Sequence, residues 1–217
     1  MKRLIFLFIS LIALCGCSNN DDIKDTGVWD TPYLISNYLL VDNITCTQSS
    51  GSDNIALLRY YGKDLLALSS ATWESFSYFN KLYNDNSFNK TNYPGAYSAL
   101  AYPIDKITLS CDSDYDAKHP AGTPLDDIVK LDFESYREFI QNNYQYPEWY
   151  TKKECGYGAV PLKYYLSEIN SDNTTLASKK LGELIFTERP AAGEYNFTLE
   201  LTINGETLTT TFTCTFK

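Results

Sequence analysis

Asp112, Asp114 and Asp116 stand at alternate positions. Three carboxylates leaving an extended segment at that spacing can converge on a hard cation such as calcium, which takes several oxygen ligands. The twelve-residue calcium loop of helix–loop–helix proteins is not completed here, because Ala117 stands where it needs glycine and Thr123 where it needs a bidentate glutamate. A solvated acidic loop is the commoner use of such a run, so calcium on these three carboxylates is a candidate and no other cofactor is implied. His119 is the single histidine, and any Ser-His-Asp or Cys-His mechanism would have to use it. It precedes Pro120 in the same acidic loop, with no G-x-S-x-G or H-E-x-x-H nearby, and reads as a turn residue. No pair of carboxylates stands out by spacing as an acid and base. The expectation is therefore a protein that binds and does not catalyse; a hydrolase would need a cleft with converging acids.

Tyr144, Tyr146, Trp149, Tyr150 and Tyr157 crowd one turn-rich stretch. Flat aromatic faces beside Asn, Glu and Lys suit sugar rings or a protein partner, and a buried satellite core beneath a long loop is the alternative. Cys46, Cys111, Cys155 and Cys214 are even in number, which in an exported chain suggests disulfides with three connectivities open. Three of the four sit in strand-like runs where a small hydrophobe would also serve, so buried free thiols are the competing expectation. Their spacing does not suggest zinc.

What decides that the chain is exported is its beginning. Met1-Lys2-Arg3 is a basic start, Leu4 to Leu14 an apolar run, and Leu14-Cys15-Gly16-Cys17 ends it. The apolar run covers about half of a ~30 Å hydrocarbon core and is too short to span it, so it reads as a secretory signal. The pattern resembles the lipobox of bacterial lipoproteins. That resemblance implies removal of residues 1–16 and a lipid on Cys17, with about 0.8 kcal/mol of anchoring for each buried CH₂. Residues 17–30, polar and acidic at first, read as a flexible tether. Ser18 after the lipid-bearing cysteine is similar to the sorting signal for an outer membrane, and Asp21-Asp22 is similar to the export signal of surface lipoproteins. A surface-exposed, lipid-anchored outer-membrane protein is the expectation, ahead of a periplasm-facing one.

Residues 31–217 are expected to make one domain. The formal net charge is −9, and removal of Lys2 and Arg3 with the signal makes the remainder more acidic still. This argues against nucleic acid and anionic lipid headgroups as partners; besides the anchoring membrane, a protein partner or cell-envelope neighbour is the first expectation and a glycan the alternative. Aromatic content of 15% with 18 tyrosines leans towards strands.

The strands are legible in places. Tyr38 to Gln48 is rich in apolar and β-branched residues, and Ile104 to Cys111 alternates. Pro161 to Leu166 and Leu184 to Thr187 are shorter candidates. Ile55 to Tyr61 and Leu65 to Ser69, separated by Gly62-Lys63-Asp64, read as a hairpin, with a helix as competitor because Leu57, Leu58, Tyr61 and Leu65 recur at helical spacing. Residues 73–95 read as an excursion holding one short strand or turn of helix. Asp132 or Ser135 is expected to cap a short helix over Tyr136 to Asn143, on a face shared by Phe133, Tyr136, Phe139 and Ile140.

The clearest signal is C-terminal. Tyr195, Phe197, Leu199, Leu201 and Ile203 alternate up to Asn204-Gly205, and Leu208, Thr210, Phe212, Cys214 and Phe216 alternate back. A two-residue type I′ turn puts Ile203 opposite Glu206, Leu201 opposite Leu208, Phe197 opposite Phe212 and Tyr195 opposite Cys214, with both apolar sets on one face. That face needs a second sheet, so the fold is expected to be mainly β: a β-sandwich with a C-terminal antiparallel hairpin, one short helix and long loops. The stretch from Pro190 to Phe197 resembles the closing strands of Ig-like domains in bacterial surface proteins. With Ile107 to Asp116, His119-Pro120-Ala121-Gly122 and Leu125-Asp126-Asp127, the chain is similar to an uncharacterised group of Bacteroidetes lipoproteins. The resemblance implies an Ig-like sandwich and no catalytic residues.

Overall fold

The computed structural model describes residues 29–88, 90–92, 97–150 and 158–217. The expected signal segment, Cys17 and the expected tether as far as Val28 lie outside the described residues, as do Cys155 and Tyr157. In chain order the described elements are β1 (Trp29–Thr31), β2 (Asn37–Gln48), β3 (Ile55–Leu66), α1 (Trp73–Leu82), β4 (Lys90–Asn92), β5 (Ser98–Leu100), β6 (Ile104–Cys111) and β7 (Val129–Ser135). They continue with α2 (Arg137–Gln141), β8 (Val160–Tyr165), a 3₁₀ turn at Leu166–Glu168, β9 (Gly182–Phe186), β10 (Gly193–Ile203) and β11 (Glu206–Phe216). No helix among the described residues is long and apolar enough to cross a membrane.

The architecture is a β-sandwich. One sheet runs β5-β2-β3-β9-β7-β8, the other β11-β10-β6, and β1 pairs with β4 as a small ribbon. Every pair is antiparallel except β2 with β5. The C-terminal hairpin has the register its turn dictates: Ile203 faces Glu206, Leu201 faces Leu208, Phe197 faces Phe212 and Tyr195 faces Cys214. Asn204 and Gly205 both take left-handed backbone angles, φ 51° and 77°, as a type I′ turn requires. The apolar face of β10 closes on inward side chains of the larger sheet, among them Leu58, Leu131, Leu184 and Phe186. Full burial of each such side chain stabilises the fold by roughly 1.5–3 kcal/mol.

Residues 55–66 form neither a hairpin nor a helix but one strand. Gly62, Lys63 and Asp64 stay in the ladder opposite Val41, Leu40 and Leu39. The register then skips Asp42, so that Asn43 pairs with Tyr61. This bulge reverses the side-chain parity of β2: Leu39 faces the inter-sheet core before it, Ile44 and Cys46 after it. Tyr38, on the opposite face from Leu39, joins a second core with Phe76 and Phe79 of α1 and with Phe139 and Ile140 of α2. Both helices thus contribute to one core on the face of the larger sheet opposite the inter-sheet core.

Two more expectations change. Residues 129–135 are a strand with Val129, Leu131, Phe133 and Ser135 inward, so Phe133 belongs to the sheet and Asp132 does not cap α2. Asp132 pairs with Lys163 of β8 at 2.7 Å, while Ser135 presents its hydroxyl oxygen to the Arg137 N–H at 3.1 Å, close to the capping role expected of it. Cys46, Cys111 and Cys214 are buried free thiols, and no bridge joins any two of them. Each occupies an inward strand position in the inter-sheet core and fills it as a small hydrophobe. Burial pushes the Cys46 and Cys214 thiols up to about 12, so both stay protonated.

Candidate functional site

The acidic loop spends its carboxylates on its own backbone, on His119 and on a side chain of β10. Asp112 accepts from the Asn196 amide at 3.0 Å, and Asp114 accepts from the Ala121 N–H at 2.8 Å. Asp116 accepts from the Lys118 N–H at 2.7 Å and faces His119 Nδ1 at 2.8 Å. The three carboxylates thus have separate partners, and the structure does not bring Asp112, Asp114 and Asp116 together as a calcium site. Among the described residues no group of three His, Cys, Asp or Glu side chains is placed to hold a metal ion.

His119 is more than a turn residue. It is only 5% exposed, and its Nε2 lies 3.0 Å from Asp127 Oδ1. An imidazole can donate from both nitrogens only as the imidazolium. Burial by itself would lower the His119 pKa; the hydrogen bonds and charges of Asp116 and Asp127 outweigh it and raise it. The hydrogen bond from His119 in turn holds Asp116 below the ordinary carboxylate value. A raised histidine pKa adds stability that is fully present below the unfolded value, about 6.5, and is lost as pH rises through the folded one. The lowered pKa of Asp116 adds stability that is lost as pH falls below 3.8 through its folded value. His119→Gln should therefore cost most near pH 5 to 6 and progressively less towards pH 9. Urea denaturation of both forms across that range checks this, and a cost independent of pH would contradict the clamp.

The aromatic stretch is largely interior. Tyr144 and Tyr150 are buried and Tyr146 is half-buried, while Trp149 alone is exposed, at 60%. Tyr146 accepts from the Gly158 N–H at 2.9 Å, and its ring packs on Phe139 and Tyr150 at centroid distances of 5.0 and 5.2 Å. The described part of the expected contact surface is thus a satellite core with one exposed ring, Trp149, set edge-on against Tyr150.

What the structure does assemble there is a cleft of about 550 Å³ between the C-terminal ends of α1 and α2. Asn84, Asn86 and Ser87 form one wall, Arg137, Gln141 and Asn143 the other, and Tyr144, Thr175 and Leu176 complete it. Four of the five described non-glycine residues with positive φ line it: Asn84 at 56°, Asn143 at 52°, Tyr144 at 58° and Leu176 at 56°. Asparagine takes this conformation readily after a helix; a bulky residue does so at a cost of order 1–3 kcal/mol, and such residues gather at functional sites. The Tyr144 hydroxyl is held from behind. It accepts from the Ser87 N–H and donates to Asp85 Oδ1, both at 3.1 Å. Burial, only partly offset by the Ser87 N–H, pushes its pKa up to about 12, so the group remains a donor. Arg137 is steadied by Gln141 through Nε at 3.4 Å and by the Asp172 carbonyl through Nη1.

Among the described residues that line it, the cleft offers carboxamides, hydroxyls and one guanidinium, but no carboxylate, imidazole or thiol. That lining can hydrogen-bond a polar ligand on several sides and supplies no general base. Of the described residues proposed from sequence for ligand or metal contact, Tyr144 alone reaches it; Asp112, Asp114 and Asp116 lie in the loop that follows β6. The Asn-rich segments at 84–86 and 142–143 were visible as loop composition, without a periodicity to bring them together. Comparison with known proteins gives no matching family model, no similar curated protein and no similar solved structure.

Proposed function

We propose that this protein is a lipid-anchored binding module of the bacterial cell envelope, and that the cleft between α1 and α2 holds a neutral, hydroxyl-rich ligand such as a glycan segment. The lining of the cleft carries the reading. Asn84, Asn86, Gln141 and Asn143 each bring a donor and an acceptor in one planar group, which is what paired sugar hydroxyls require. A volume of about 550 Å³ falls in the range of small-molecule sites. The net charge of −9 disfavours an anionic ligand. The Leu14-Cys15-Gly16-Cys17 ending of the apolar leader supports the anchor, and Ser18 with Asp21-Asp22 supports display at the outer surface.

A glycan array followed by calorimetry tests the site. Gln141→Ala, an exposed change in the cleft wall, is expected to weaken a bound glycan by about tenfold, the worth of one good hydrogen bond. Trp149→Ala should leave binding unchanged, because Trp149 does not line the cleft. Absence of any array hit, or loss through Trp149 with Gln141→Ala unaffected, would remove the cleft as the glycan site. The anchor is tested separately: Cys17→Ala should abolish metabolic palmitate labelling and release the protein from the membrane fraction.

A further inference from the structure

We infer that the cleft is one end of a longer groove, and that an aromatic subsite on the flank of α1 takes further rings of the same carbohydrate chain; this rests on the cleft being the glycan site. A second hollow, about 370 Å³, lies beside the helix, where Leu65, Glu74, Ser75, Tyr78, Phe79 and Tyr102 meet. Tyr78 is 56% exposed. Its ring is braced edge-on against Phe79 at 5.2 Å and 79°, and Phe79 meets Tyr102 at 5.1 Å and 85°. Phe79 is itself buried in the helix-side core. The exposed ring therefore has a rigid mounting, which lets an aromatic face contribute contact area with little entropy cost. Glu74 and Ser75 at the margin supply an acceptor and a hydroxyl for ring hydroxyls, so the hollow has an apolar floor and polar edges.

The two hollows share a flank of the helix. Tyr78 lies one turn before Leu82, roughly 6 Å along the axis, and Leu82, half exposed, lines the cleft. Residues four apart present neighbouring side chains, so the exposed apolar strip from Tyr78 to Leu82 leads from the aromatic hollow into the carboxamide one. A single small ligand would fill one hollow and leave the other. A linear neutral oligosaccharide fits both, with an apolar ring face on Tyr78 and hydroxyls towards Gln141 and Asn143.

Titration calorimetry with malto-, cello- and mannooligosaccharides of one to six residues tests this on the wild type, Tyr78→Ala and Tyr78→Phe. Wild-type affinity for the series that binds should rise by about tenfold or more as the chain grows past the length that fills the cleft. Tyr78→Ala should remove that rise while leaving the short members bound as before, and Tyr78→Phe, which keeps the ring, should restore it. If the rise persists in Tyr78→Ala, or no rise exists in the wild type, the groove is wrong and the cleft reading stands. If no oligosaccharide binds the wild type at millimolar concentration, the cleft reading falls and the groove with it.

Discussion

Gly62→Ala is expected to destabilise the protein by about 4 kcal/mol or more, a cost reserved for changes the fold cannot absorb. A Cβ added at Gly62 would lie 1.8 Å from the Leu40 carbonyl oxygen, 2.8 Å from the Leu40 carbonyl carbon and 3.0 Å from the Val41 Cα. These are backbone atoms of the paired strand, so no side chain can rotate away to make room. The site is where β2 carries the extra residue Asp42, and here the bulged strand closes on its neighbour at a position that lacks a side chain. Opening the pair would shift Leu39 and Ile44, which face the core on either side of the bulge. Gly51→Ala is the control. Its Cβ would meet only the Ser49 Oγ, at 3.9 Å, so the change should stay within about 0.5 kcal/mol of wild type. With total stabilities of roughly 5–15 kcal/mol, the first variant should melt far earlier or fail to fold and the second should not. A Gly62→Ala protein as stable in urea as Gly51→Ala would mean that the two strands do not approach in this way.

That glycine also shows where sequence patterns stop being informative. Gly62-Lys63-Asp64 has the composition of a turn, and a turn there divides 55–69 into a hairpin; the same glycine at a bulge keeps the strand whole. Only knowledge of the partner strand separates the two, and the partner's extra residue, Asp42, looks like any other in a strand pattern. By contrast, the C-terminal hairpin was legible because Asn204-Gly205 fixes the loop length and loop length fixes the register, so one local signal settles eleven pairings. β7 was missed for a different reason. Phe133, Tyr136, Phe139 and Ile140 satisfy a helical spacing across what is really a strand end running into a helix. In α1 the buried set is Phe76, Phe79 and Asn80, while Trp73, Tyr78 and Leu82 are exposed, so apolar residues surround the helix and blur its period.

The candidate site was hardest to read, since it unites residues 82–87, 137–144 and 175–176. None of these segments has a motif, and their polar side chains mean something only together. His119 is an intermediate case. Its acidic neighbours were visible, but the fold of the loop decides that two of them, Asp116 and Asp127, grip the ring from opposite nitrogens.

Asp85 holds the base of that site, and its replacement is the second large effect. The carboxylate is fully buried and accepts from the Leu34 N–H at 2.8 Å and the Ile35 N–H at 2.7 Å, besides the Tyr144 hydroxyl. One side chain thus joins the end of α1, the approach to β2 and the end of α2. Asp85→Ala takes the carboxylate away from the buried Leu34 and Ile35 N–H groups, at about 1–3 kcal/mol each, and it frees Tyr144 from the partner that offsets its left-handed backbone. The pH profile carries a separate signature. Burial pushes Asp85 up to about 6 from 3.8, against the pull of the Leu34, Ile35 and Tyr144 hydrogen bonds. Because the folded protein holds this proton more tightly than the unfolded chain, the contribution to stability is greatest below pH 3.8 and is lost as pH rises from there to about 6. Two pH units correspond to about 3 kcal/mol. Asp85→Asn keeps one acceptor and cannot ionise; because pH 4 lies just above 3.8 and part of the effect is already spent there, its deficit relative to wild type should be about 2 kcal/mol larger at pH 4 than at pH 7. Urea denaturation of both proteins at unit steps between these values measures that difference. A deficit constant across the range would mean that Asp85 meets more water, or more donors, than its three partners here allow, and that burial does not govern its protonation.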